Sequence, residues 1–119
     1  MLGINKIIFT YNESITMILF NLNTINYNNI NKQVDKDKLI NYLKKICKIV
    51  HNWKNEYIDL KTIDGDDWAL DFYYEDGKIT NHKGHGTYPN NFEQLKNLFV
   101  NINSEVLWHE FVKFRVRRM

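Results

Sequence analysis

Three short stretches of this 119-residue chain combine residue types and spacings that suit chemistry: His82-Lys83-Gly84-His85-Gly86, the pair Cys47 and His51, and Asp64-Gly65-Asp66-Asp67. Two imidazoles three residues apart can ligate a transition metal, but a zinc site takes three or four protein ligands, and no cysteine or further histidine stands at a partner spacing. Glycines here could admit a phosphate to the backbone, yet the nucleotide-binding pattern G-x-G-x-x-G requires a third glycine where this chain has Pro89. The expected role is structural: Gly84 and Gly86 end a strand and bend the chain toward Tyr88-Pro89.

Cys47 and His51 lie four residues apart, on one face of a helix, at the flank of its apolar stripe. A small buried thiol and a half-exposed imidazole account for them without a metal. The acidic run resembles a fragment of a calcium loop, but an EF-hand needs alternate acidic ligands, a glycine at the sixth position and a glutamate at the twelfth, and those offsets are not met. Asp64, Asp66 and Asp67 are therefore read as a solvated acidic turn, or as an acidic docking face for a basic partner. Among the aromatics, alternation assigns Trp68, Phe72 and Tyr74 to the core and leaves Tyr73, with Tyr57 and Tyr88, as candidates for exposure and partner contact. No metal or other cofactor is expected.

The charges are segregated. Net charge is +2 at pH 7, which argues against a dedicated nucleic-acid binder. Between Glu56 and Asp76, however, lie eight acids against Lys61 alone, and all three arginines, Arg115, Arg117 and Arg118, fall in the last five residues. The length and the 44% hydrophobic content fit one domain, residues 1–119, able to bury a core without disulfides. A single cysteine, no signal-peptide pattern in MLGINKIIF and no run long enough for a membrane span predict a cytoplasmic protein with no membrane partner.

The elements that must position these residues follow from periodicity. INKIIFTY (4–11) and ITMILFNL (15–22), separated by Asn12-Glu13-Ser14, predict a hairpin, followed by a polar loop from Asn23 to Gln33. From Lys36 to about Trp53, capped by Asp35, Leu39, Tyr42, Leu43, Ile46, Ile49 and Val50 recur at steps of three and four, the stripe of an amphipathic helix; Lys36, Lys44, Lys45 and Lys48 occupy its other face. WALDFYYEDGKITNHKG predicts a second hairpin over about 67–84 with its turn at Asp76-Gly77. Asn90 and Glu93, spaced as a capping box, open a second helix through Phe92, Leu95, Leu98, Phe99 and Ile102. VKFRVRR alternates, so residues 111–117 are expected as an edge strand after a short helical turn. Lys113, Arg115 and Arg117, with Arg118 beside them, would then form a cationic stripe for a partner.

Asp64-Gly65-x-x-Trp68-x-Leu70, then Asp76-Gly77-Lys78, then Gly84-x-x-x-Tyr88-Pro89-x-Asn91-Phe92 opening a leucine-rich helix, is a pattern that resembles a family of small uncharacterised bacterial proteins. The likeness covers about residues 34–100. It implies an α+β domain and nothing catalytic.

Together these readings predict an α+β fold, an antiparallel sheet of four to five strands from two hairpins, packed on one side by two helices. The functional class expected is a non-enzymatic binding protein of the inhibitor, immunity or phage anti-defence kind, occluding a protein partner. Two other classes compete: a nucleic-acid or nucleotide binder using the basic C-terminal segment, and an enzyme whose groups converge around His82, His85 and Asp71.

Overall fold

The structure, a computed structural model, describes residues 3–61 and 65–118, with side chains described as far as Trp108. It is α+β: β1 (Ile4–Tyr11), β2 (Ser14–Leu19), β3 (Thr24–Tyr27), β4 (Ile30–Gln33), α1 (Lys36–Val50), β5 (Glu56–Ile58), β6 (Asp67–Tyr74), β7 (Ile79–His85) and α2 (Phe92–Arg118). The strands form one seven-stranded sheet in the order β4-β3-β2-β1-β6-β7-β5. The expected four to five antiparallel strands are thus corrected to a larger, mixed sheet, because β5 pairs in parallel with β7.

Alternation builds the core. Ile25, Ile18, Ile7 and Phe72 are opposite one another across β3, β2, β1 and β6, and all four are buried on the face that the helices cover. Buried beside them, Phe9 opposes Leu70 and Thr16. Leu39, Tyr42, Leu43 and Ile46 of α1, and Leu95, Phe99, Ile102 and Val106 of α2, supply the other layer at helical spacing. Lys32 and Lys38 donate to Oε1 of Glu105 at 3.0 and 2.8 Å, and the Tyr42 hydroxyl donates to its Oε2 at 2.6 Å, so one carboxylate ties β4 and α1 to α2.

Two further expectations are corrected. The segment 23–33, read as a polar loop, is a hairpin, β3 and β4. Its turn residues Asn28 and Asn29 take φ of 46° and 71°, the left-handed conformation that asparagine tolerates better than most residues. The short strand β5 lies where no periodicity marked one. Residues 111–117, expected as an edge strand, continue α2 to Arg118. Extending an existing helix adds one hydrogen bond per residue ordered, whereas a strand needs a neighbour to pair with. A two-residue repeat that a strand would turn to one side is spread around a helix in steps of about 100° per residue. The side chains of Lys113, Arg115, Arg117 and Arg118, and the whole of Asp64, lie outside the described residues.

Candidate functional site

The two histidines of the first motif do not converge. Both belong to β7, three residues apart, and so point to opposite faces of the sheet. His82 Nδ1 is 2.8 Å from the Lys54 carbonyl oxygen, with its ring edge-on to Trp53 and Phe72; His85 Nδ1 is 2.6 Å from Asp67 Oδ1. Asp71 accepts a hydrogen bond from Asn81. No group of three or more His, Cys, Asp or Glu side chains placed to hold a metal occurs among the described residues. Burial pushes the Cys47 thiol above its ordinary value, as expected for a packing cysteine.

The glycines divide the task assigned to them jointly. Gly84 is buried inside β7, directly opposite Trp68, and a Cβ there would stand 2.3 Å from the indole Nε1 and 2.7 Å from the Thr87 carbonyl oxygen. Close approach, and not a turn, requires it. Gly86, at φ 66°, makes the bend.

Past that bend an open cleft of about 340 Å³ forms where the end of β1, the residue before β6 and the first turns of α2 meet. Strand β1 ends on Tyr11, which faces the helix layer like Phe9. Asn12, at φ 51°, turns the chain, and its side chain extends the ladder: Oδ1 accepts from the Asp67 amide at 3.0 Å and Nδ2 donates to Asp66 Oδ1 at 3.0 Å. Asp66 is thereby held at the cleft mouth, where its Oδ2 accepts from the hydroxyls of Tyr11 at 2.5 Å and Tyr88 at 2.8 Å. Phe92 backs both rings, at 6.1 Å from Tyr11 and 4.9 Å from Tyr88 between centroids, and Lys96 Nζ lies 4.8 Å from the Tyr11 ring centre.

The electrostatics of this cluster are one-sided. Hydrogen bonds from Tyr11, Asn12 and Tyr88 hold the Asp66 carboxyl at about 2. Partial desolvation, followed by the hydrogen bond to Asp66, pushes each phenol up to about 12. Near neutral pH the carboxylate is a fixed acceptor and both phenols are fixed donors. An ionised carboxylate offers about four acceptor positions, and three are used among the described residues.

The acids and aromatics singled out in the sequence are not all brought together. Asp66 belongs to the cleft, whereas Asp67, the next residue, is on the opposite face of the strand with His85. Tyr73 also lies on that far face, under Lys6 Nζ at 4.3 Å. Tyr57 packs on Trp68 and accepts the Lys54 amide at its hydroxyl. Tyr88 is exposed. Tyr11, Asn12, Glu93 and Lys96 were not read as site residues from the sequence; the spacing of Phe92, Glu93 and Lys96, which puts them together on the first turns of α2, is a signal that could have found part of the cleft.

Comparison of the chain with family models, curated proteins and solved structures gives no match.

Proposed function

We propose that the protein is a non-enzymatic binding protein of the inhibitor, immunity or anti-defence kind, which occludes a protein partner by seating a basic side chain of that partner against Asp66. The observation that carries this reading is the geometry of the Tyr11–Asp66–Tyr88 cluster, in which two phenol hydroxyls and the Asn12 side chain hold one carboxylate at the mouth of an open cleft. A general acid or base works best with a pKa near the working pH, and these three groups stand far from it on either side. The cluster suits recognition: a carboxylate with one acceptor position unspent among the described residues, walled by tyrosines, is the setting in which an arginine or lysine of a partner gains a charge-assisted hydrogen bond. Lys96, over the Tyr11 ring, holds the place that such a cation would share or take.

Affinity capture from the native host, with both proteins and nucleic acids analysed, tests the reading. The expected catch is a protein, retained after nuclease treatment and weakened at least tenfold by Asp66→Asn or by Tyr88→Ala. A catch of nucleic acid that is lost with salt and abolished by replacing Arg115, Arg117 and Arg118 together with Gln supports the nucleic-acid reading instead, since phosphate contacts release counterions.

A further inference from the structure

A second surface differs from the cleft in both charge and state of engagement. Between α1 and α2 runs an open groove of about 560 Å³. One wall carries Lys45 and Lys48 of α1. The other wall carries Gln94, Asn97 and Asn101, which at steps of three and four residues form a single row along α2. Ile49 and Leu98, both half-buried, form an apolar floor.

The polar groups here have not been spent. Asn91, at one end of the groove, is engaged within the fold, accepting from Trp53 Nε1 at 2.7 Å and donating to the Ile49 carbonyl oxygen at 2.6 Å. In contrast, Lys45, Lys48, Gln94, Asn97 and Asn101 are exposed and keep their hydrogen-bonding capacity free among the described residues. A row of side-chain amides offers both donors and acceptors, the pair that a peptide backbone requires. From 94 to 101 the row is about 10 Å long at helical rise. That is the length of about three residues of extended chain.

We infer that this groove binds a short extended peptide segment of a partner, an apolar residue flanked by acidic ones. The amide row brackets the peptide's main chain, the apolar side chain seats between Ile49 and Leu98, and the acidic side chains reach Lys45 and Lys48. The charge of the α1 wall selects an acidic ligand. The aliphatic floor selects a peptide over a single-stranded nucleic acid, which binds on aromatic stacking surfaces that this groove does not provide.

The probe is a fluorophore-labelled, acetylated peptide with a central leucine flanked on each side by two glutamates, followed by anisotropy and by amide chemical shifts of the isotope-labelled protein. Controls are the same peptide with lysines for glutamates and an oligodeoxythymidylate of equal charge. Saturable binding of the acidic peptide is expected, with shifts confined to the groove walls and affinity at least tenfold lower in both Lys45→Glu/Lys48→Glu and Asn97→Ala/Asn101→Ala. Both variants change exposed side chains, and unchanged thermal melts establish that they fold. The inference is overturned by absence of saturable binding, by shifts elsewhere, by tighter binding of the oligodeoxythymidylate, or by an amide double variant that binds as the wild type does, which would leave charge alone as the cause.

Discussion

The indole of Trp68 rests directly on Gly84, its cross-strand partner, and donates from Nε1 to the Thr87 carbonyl oxygen at 3.0 Å. One ring thus sets the path of the chain from β7 toward the cleft, and the backbone beneath it has no room for a side chain. Trp53, Tyr57 and Phe92 surround the same ring at 5.7, 5.9 and 4.8 Å between centroids.

Gly84→Ala therefore destabilises the protein by overpacking, by about 1 to 3 kcal/mol. Trp68→Ala, which empties a core site, costs about 3 to 5 kcal/mol. The two are coupled: a Trp68→Ala background removes the indole clash at position 84 and leaves only the Thr87 carbonyl oxygen in the way of the added methyl, so the second substitution costs less than it does alone. Urea unfolding of the two single variants and the double variant measures the coupling, and strict additivity would show that the close approach carries no strain.

Glu105 makes stability depend on acid. Burial alone would raise its pKa, but the hydrogen bonds from Lys38, Tyr42 and Lys32 outweigh burial and hold the carboxyl at about 2 against an ordinary 4.5. A carboxyl lowered in the folded state contributes stability that is complete above the unfolded value and is lost as pH falls toward the folded one. Glu105→Gln should thus cost about 1 to 3 kcal/mol at neutral pH. The gap between wild type and variant should narrow as the pH falls below about 4.5 and close near 2. A gap independent of pH in denaturant titrations would contradict this.

Thr16 is 1% exposed and donates to Asn103 Oδ1 at 2.7 Å, joining β2 to α2 across the core. Thr16→Val keeps the volume and removes the donor, leaving a carbonyl oxygen without its partner at a cost of about 1 to 3 kcal/mol. Adding Asn103→Leu, which removes that acceptor as well, should restore part of the loss, and a double variant no more stable than Thr16→Val would sink this account.

The β3–β4 turn tests whether its asparagines are there for conformation. Asn29 is at φ 71° and its amide donates to Asn26 Oδ1 at 3.0 Å. Asn29→Ala puts an ordinary side chain in the left-handed region and should lower the melting temperature, with a cost of about 1 kcal/mol. Asn29→Gly should melt at or above the wild type.

What the sequence determined by itself is what neighbours in the chain decide. Helix α1 from Lys36, the turn at Asp76-Gly77 and the core side of Trp68, Leu70 and Phe72 follow from periods of 3.6 and 2 and from the conformations that glycine allows. The α+β class follows from their order. Tertiary structure decided the rest, because it depends on residues far apart in the chain. The β1–β6 pairing that joins the two hairpins, the parallel docking of β5, and the cleft in which Tyr11 meets Asp66 across 55 positions have no local signature. The end of the chain shows the limit most plainly. VKFRVRR alternates like a strand, but alternation states only which side chains would share a face once a neighbouring strand is present. A helix already propagating from Phe92 supplies its own hydrogen bonds, and it continues to Arg118.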